Sequence, residues 1–186
     1  MEKQPNSSPQ SPAIQKGLVQ VYTGDGKGKT TAAIGNIIRA LGHNLKVYVC
    51  VFMKGDYTYG EWDYLARLPN IKIERFGRRE FCDPDNIKPA EKEQAARALN
   101  SAREAMLHGN YDLIVLDEIN VAIAWHLIDI DEVIKFIDDK PVKVNLILTG
   151  RYADNELVKK ANLVTEMLKI KHHYDSGISA RQGIEF

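Results

Sequence analysis

The 186-residue chain has few cysteines, no excess of charge of either sign and no long apolar run. The spacing of its two cysteines, Cys50 and Cys82, suggests neither a disulfide framework nor a zinc site, which favours a reducing compartment. Lysine and arginine together number 25, as do aspartate and glutamate, so no net charge favours nucleic acid or an acidic membrane as a partner. Because transmembrane-length runs and the apolar core of a signal peptide are also lacking, we expect a cytoplasmic protein.

Composition divides the chain into a short arm and one domain. The arm, residues 1–16, contains three prolines and three serines and few apolar side chains. Such a segment cannot bury enough surface to offset its ordering entropy, so we expect it to be flexible. Residues 17–186 are long enough to bury one substantial core, and we predict a single domain there.

Short β-branched or aromatic runs alternate with helical patterns along this domain. The patterns predict strands near residues 18–22, 46–52, 71–76, 113–116, 144–148 and 163–170. They predict helices near residues 29–41, 61–68, 89–108, 119–128, 131–138 and 155–161. The segment 119–128 is apolar nearly all round, so we expect it to be covered on several sides or to lie at a subunit interface. The alternation is typical of an α/β fold with a mostly parallel open sheet and helices on both faces.

A glycine-rich stretch, Thr23-Gly24-Asp25-Gly26-Lys27-Gly28-Lys29-Thr30-Thr31, joins the first predicted strand to the first predicted helix. A phosphate-binding loop requires this strand–loop–helix context. Glycines let backbone N–H groups approach an anion, and the start of a helix adds its unpaired N–H groups. We predict that Lys29 reaches the phosphates and that the Thr30 hydroxyl binds magnesium; the alternative is a loop that only turns the chain. The predicted phosphate-binding residues are Gly24, Asp25, Gly26, Lys27, Gly28, Lys29, Thr30 and Thr31.

Two acidic residues, Asp117 and Glu118, follow the apolar strand predicted over 113–116. Nucleotide sites in open parallel sheets form at the carboxyl ends of strands, and carboxylates are ligands that magnesium prefers. We therefore predict that the magnesium ligands are Thr30 with Asp117 or Glu118, either acid being a candidate inner ligand. The alternative is that the acid caps the following helix, since aspartate is a good N-cap.

Two basic residues, Lys54 and Arg151, follow the second and fifth predicted strands. Each is placed to neutralise triphosphate charge or a leaving group. The alternative is that each solvates a loop tip, and for Lys54 taken alone the sequence favours that alternative. The adjacent histidines His172 and His173 point to opposite faces of an extended segment, so they make a poor ligand pair. We expect them to have a structural or substrate-contacting role.

Taken together, these motifs resemble the ATP:corrinoid adenosyltransferases, the P-loop family that makes adenosylcobalamin. The resemblance covers nearly all of the chain after residue 17, and a threonine in the first glycine position of the phosphate loop is the family's own form. It rests on T-G-D-G-K-G-K-T-T-A-A at 23–33, R-A-L-G at 39–42, F-M-K-G at 52–55, V-L-D-E at 115–118, L-T-G-R at 148–151 and the closing K-H-H-Y-D-S-G-I-S-A-R-Q-G-I-E-F.

The resemblance implies a RecA-like P-loop NTPase fold and a homodimer. It also implies that cobalt(I) of a reduced corrinoid attacks the 5′ carbon of magnesium-ATP and expels tripolyphosphate, with a reduced flavoprotein as electron donor. Because this nucleophile has no proton to lose, no general base is expected. The implied catalytic residues are Lys29, Thr30 and Glu118, which stabilise the leaving group, and Arg151 joins the loop in binding ATP.

One stretch departs from the family pattern. Where family members carry G-F-T-W after the third strand, this chain reads Phe76-Gly77-Arg78-Arg79-Glu80-Phe81-Cys82, without a tryptophan. Phe81 is the best candidate for the aromatic contact to the corrinoid, and Arg78 and Lys54 are further candidate corrinoid-binding residues. Two alternatives stay open: an ATPase or kinase that acts at the γ phosphate, and a non-catalytic carrier of corrinoid or nucleotide.

Overall fold

The computed structural model describes residues 16–55, 59–78 and 82–185. Nearly all of the predicted arm lies outside these ranges. The strands are β1 (Val19–Thr23), β2 (Val47–Val51), β3 (Ile71–Arg75), β4 (Leu113–Asp117), β5 (Asn145–Thr149) and β6 (Leu163–Glu166). The helices are α1 (Lys29–Gly42), α2 (Gly60–Leu65), α3 (Pro89–His108), α4 (Ile119–Ala124), α5 (Ile130–Asp138) and α6 (Asn155–Lys160), and a 3-10 turn follows at His173–Ser176.

The six strands form one sheet in the order β3-β2-β4-β5-β1-β6, and every neighbouring pair is parallel. This confirms the predicted α/β class with an open parallel sheet. All carboxyl ends of the strands therefore lie at one edge. Because only β5 separates β1 from β4, the loop after β1 and the acids that end β4 meet at that edge.

Helices cover both faces of the sheet, which confirms the predicted layering. On one face, Ile37 of α1 and Trp62 of α2 belong to the same buried cluster as Val49 of β2. On the other face, Leu99 of α3 and Phe136 of α5 belong to the cluster that contains β4 and β5 side chains. Strands β2 and β4 are buried along their whole length, as expected for central strands of a parallel sheet.

Two predicted elements are shorter in the structure. The sequence predicts a last strand over 163–170, but β6 ends at Glu166. Apolar residues continue beyond Glu166, where the chain has left the sheet. The helix predicted over 119–128 ends at Ala124, and His126 adopts the left-handed conformation that commonly ends helices. Residues 119–123 are buried, so this helix is covered on several sides as predicted. Within the described ranges, no helix combines the length and apolarity needed to cross a bilayer.

Candidate functional site

The glycine-rich loop curls around the side chain of Lys29. Gly24 and Gly28 have φ angles of 92° and 123°, which residues with a side chain rarely adopt. The Lys29 Nζ atom donates hydrogen bonds to the carbonyl oxygens of Gly24 and Gly26, each at 2.7 Å. Helix α1 begins at Lys29, so its first N–H groups open onto the same loop. This loop has the shape and the cation that a phosphate cradle needs.

Basic charge is concentrated at this loop. Burial lowers the pKa of Lys29, and the nearby positive charge of Arg151 lowers it further. The Arg151 Nε atom lies 3.9 Å from Asp25 Oδ1, so this guanidinium, about half exposed, is placed beside the loop. The structure thus brings together Lys29, Asp25 and Arg151, whereas Thr31 lies exposed in the first turn of α1.

Asp117 is a fully buried carboxylate that ends β4. Its Oδ1 atom accepts hydrogen bonds from the hydroxyls of Thr30, at 2.9 Å, and Thr149, at 2.7 Å. Its Oδ2 atom lies 3.3 Å from Lys54 Nζ. Glu118 occupies the N-cap position of α4 without a side-chain capping bond, so the alternative that an acid here caps the helix is wrong.

Glu118 is held in an unusual backbone conformation. Its φ of 66° lies in the left-handed region, which for a residue other than glycine costs about 1–3 kcal/mol. The backbone N–H of Glu118 donates to Thr149 Oγ1 at 3.0 Å. Burial raises the pKa of the Glu118 carboxyl, and the ammonium of Lys54 opposes this. Thr149 therefore contacts both acids, although the sequence analysis gave it no role in the site. Its place at the carboxyl end of β5, beside β4, is the signal that could have identified it.

Lys54 bridges the two acids. Its Nζ atom lies 3.3 Å from Asp117 Oδ2 and 3.5 Å from Glu118 Oε1, and 5.3 Å from the ring centre of Tyr59. Burial alone would lower the pKa of Lys54, but the two carboxylates outweigh it and raise the pKa. The interpretation that Lys54 solvates a loop tip is therefore wrong. Its ammonium neutralises a pair of acids, of which Asp117 is fully buried and Glu118 is partly exposed.

The candidate corrinoid-binding stretch is described in part. Phe81 and Arg79 lie outside the described residues, while Arg78 is partly buried just after β3. The backbone N–H of Lys54 donates to the Phe76 carbonyl at 3.1 Å, so the segments that follow β2 and β3 lie side by side. A small depression beside them is lined by Met53, Phe76, Arg78, Cys82, Ala95 and Leu127.

The two adjacent histidines do not point to opposite faces. The rings of His172 and His173 stack with their centres 4.4 Å apart, because the chain turns into the 3-10 segment at His173. No group of three or more His, Cys, Asp or Glu side chains in the described ranges is placed to hold a metal. The histidine pair therefore offers no metal site of its own.

Comparisons with known proteins agree with the resemblance. A family model described as ATP:corrinoid adenosyltransferase BtuR/CobO/CobP matches residues 15–186. A corrinoid adenosyltransferase of a Sinorhizobium species is 37% identical over 174 residues, which cover 92% of this chain and 81% of the relative. The corrinoid adenosyltransferase of Pseudomonas aeruginosa is 33% identical over 172 residues, which cover 92% of this chain and 85% of the relative. The one from Escherichia coli K12 is 30% identical over 172 residues, covering 92% and 87%.

The family model matches the whole of the predicted domain, and these relatives match over most of their own length. The motif-based resemblance is therefore confirmed. This chain is an enzyme that belongs to the ATP:corrinoid adenosyltransferase family.

Proposed function

We propose that this enzyme transfers the 5′-deoxyadenosyl group of magnesium-ATP to cobalt(I) of a reduced corrinoid and releases tripolyphosphate. The observation that carries the proposal is the cationic phosphate loop, in which Lys29 lies inside the curl and Arg151 beside it. Two cations at one loop suit a leaving group that carries several negative charges. Membership in a family named for ATP and corrinoid supports both substrates.

The proposed step forms one bond and breaks one bond. The electron pair of cobalt(I) forms the cobalt–carbon bond at the 5′ carbon of ATP. The carbon–oxygen bond to the α phosphate breaks, and its electron pair stays on the departing tripolyphosphate. No proton moves, so no base is needed. Consistent with this, the carboxylates of Asp117 and Glu118 both form ion pairs with Lys54. Lys29 and Arg151 stabilise the charge that develops on the leaving oxygen.

The donor atoms at this edge fit magnesium. The Thr30 hydroxyl donates to Asp117, which leaves the hydroxyl lone pairs for a metal and places a carboxylate just behind it. Magnesium commonly takes one or two protein oxygens and completes its shell with phosphate oxygens and water. We assign Thr30 and Asp117 to this role, with Glu118 beside them. The ion, when bound, offsets triphosphate charge.

The corrinoid is proposed to lie across the segments that follow β2 and β3, where Lys54, Arg78 and Phe81 are the candidate contacts. The assignment of Phe81 depends on the family resemblance. Phe81→Ala should impair reduction of cobalt(II) more than transfer to chemically reduced cobalt(I). Equal losses in the two assays would exclude a specific role in reduction.

We further propose that the enzyme is a homodimer in the cytoplasm and that a reduced flavoprotein supplies its electrons.

The first test is an anaerobic assay with magnesium-ATP and chemically reduced cobalamin. We expect the visible spectrum of the light-sensitive adenosyl product and one tripolyphosphate for each adenosyl group transferred. Formation of ADP without adenosylation would replace the proposal with an ATPase or kinase. Binding of both ligands without either product would replace it with a carrier.

The second test removes the loop cation. Lys29→Ala should lower kcat/KM for ATP by at least about 100-fold, because it deletes a charge that stabilises the leaving group. Lys159→Ala is the matched control, since that lysine forms an exposed ion pair with Glu156 on α6. Near-normal turnover by Lys29→Ala would exclude a phosphate role for this lysine.

A further inference from the structure

The chain that follows β6 packs directly against the phosphate loop. The backbone N–H of Gly26 donates to the carbonyl oxygen of Met167 at 2.6 Å. A Cβ atom at Gly24 would lie 2.5 Å from that oxygen, and one at Gly26 would lie 2.6 Å from the Leu168 carbonyl oxygen. Both glycines are therefore required by this contact as well as by the curl of the loop. The Gly26 N–H is thus hydrogen-bonded to the segment that follows β6, and this bond holds the loop from its outer side.

A second part of the same segment reaches the loop at Lys27. The Lys27 Nζ atom donates to the carbonyl oxygen of Ile184 at 3.3 Å and to Glu185 Oε1 at 3.2 Å. The Glu185 carboxylate also accepts three hydrogen bonds from Arg181: from its backbone N at 2.8 Å, from Nε at 3.1 Å and from Nη2 at 3.0 Å. The side chain of Glu185 is only 9% exposed. Lys27 is thus tied to a carboxylate that Arg181 also holds.

This attachment falls on a residue of the loop that has a glycine on each side. Lys27 stands between Gly26 and Gly28, and glycine loses more conformational freedom on ordering than any other residue. Ordering a loop at the moment of binding lowers affinity, whereas a loop that is already ordered avoids this loss. Two anchors, the Met167 carbonyl and the Glu185 carboxylate, hold the loop in shape on its outer side.

We propose that Glu185 is a positioning residue for the triphosphate of ATP, which acts through Lys27 by holding the phosphate loop in its binding conformation. This role goes beyond the catalytic and binding residues assigned above. It rests on the proposed function only in taking ATP as the ligand of the loop. Triphosphate binding is measured without corrinoid. A failure of the positioning role of Glu185 can therefore be distinguished from a failure of adenosyl transfer.

The test is a double-mutant cycle on phosphate affinity. The dissociation constants of inorganic tripolyphosphate and magnesium-ATP are measured by calorimetry for the full-length chain and for Glu185→Gln, Lys27→Met and the double variant. We expect Glu185→Gln to raise both constants about three- to fivefold, the range of a well-formed ion pair near the surface. The double variant should bind no more weakly than Lys27→Met alone, since Glu185 acts through that lysine. Glu156→Gln, which loses an exposed ion pair on α6, is the matched control and should bind as the unmodified chain does.

Steady-state kinetics distinguishes positioning from general disruption. Glu185→Gln should raise KM for ATP and leave kcat with cobalt(I) unchanged, as expected for lost ground-state binding. Glu185→Asp, which keeps the carboxylate, should restore part of the affinity. Unchanged dissociation constants in Glu185→Gln, or effects of Lys27→Met and Glu185→Gln that simply add, would overturn the proposal.

Discussion

The Thr30 hydroxyl and the Asp117 carboxylate, 87 positions apart in the chain, are joined by a hydrogen bond of 2.9 Å. This bond links the first turn of α1 to the end of β4, so the phosphate loop and the acidic strand end form one unit. Thr149 donates to the same carboxylate oxygen from β5, the strand that lies between β1 and β4. Asp117 therefore orients the Thr30 hydroxyl, which leaves the hydroxyl lone pairs for the proposed magnesium ion.

Removing this hydroxyl should abolish most of the activity. Thr30→Val keeps the shape of the side chain but removes the oxygen, and we expect kcat/KM for ATP to fall by about 100-fold or more. Thr30→Ser keeps the oxygen and should retain most activity. Initial rates measured over a series of magnesium concentrations give the comparison. A Thr30→Val enzyme with an unchanged magnesium dependence would contradict the assignment of Thr30 to the metal.

The strand, glycine-rich loop and helix of the candidate phosphate site could be predicted because their pattern lies in consecutive residues. The glycines, Lys29 and Thr30 lie within nine positions, and a strand and a helix flank them. The parallel sheet then placed Asp117 at the same edge, which the alternation of strands and helices had already predicted. The local pattern and the sheet topology were therefore sufficient to predict that the glycine-rich loop and Asp117 lie at the same edge of the sheet.

The ion pairs of the site were not predictable in the same way. For Lys54 taken alone, the sequence favours a loop tip over a charge-neutralising role, but the sheet order puts β2 directly beside β4, and the lysine faces Asp117 there. Likewise, the contact of Lys27 with Glu185 joins residues 158 positions apart. Neither pairing leaves a periodic or local signal, because each depends on how distant segments pack.

The two ion pairs of Lys54 predict that the free energy of unfolding of a Lys54 variant depends on magnesium. Lys54→Met leaves two neighbouring carboxylates, one fully buried, without their cation, and we expect the free energy of unfolding to fall by about 3 kcal/mol in EDTA. Added magnesium should restore part of this loss, because a cation bound between the acids stabilises only the folded state. Urea unfolding with and without magnesium measures both effects.

The control for this prediction is Lys160→Met, which breaks an exposed ion pair with Asp138. Such pairs contribute about 1 kcal/mol or less, and this one should show no added response to magnesium. If magnesium stabilised the Lys54→Met and Lys160→Met variants equally, the acids would not attract a cation in the absence of Lys54. That result would contradict the interpretation that Lys54 neutralises the charge of Asp117 and Glu118.

A second carboxylate, away from the candidate site, predicts how stability depends on pH. Burial disfavours the charge of Glu74, but hydrogen bonds from Ser101, Tyr48 and Lys72 outweigh this and lower its pKa to about 2. In the unfolded chain the same carboxyl titrates near its ordinary value of 4.5. As the pH falls between these values, the unfolded state binds a proton that the folded state does not, so the folded state loses stability across this window.

Glu74→Gln removes the titrating group, so the free energy of unfolding of this variant should fall less than that of the unmodified chain between about pH 5 and about pH 2. Urea unfolding at several pH values in this window measures the difference in free energy of unfolding between the two proteins, which should be largest at about pH 5 and shrink as the pH falls. Ser101→Ala keeps the carboxylate but removes one hydrogen bond, and it should show an intermediate dependence. Parallel curves for the unmodified chain and Glu74→Gln would mean that the hydrogen bonds from Ser101 and Tyr48 do not favour the ionised carboxylate.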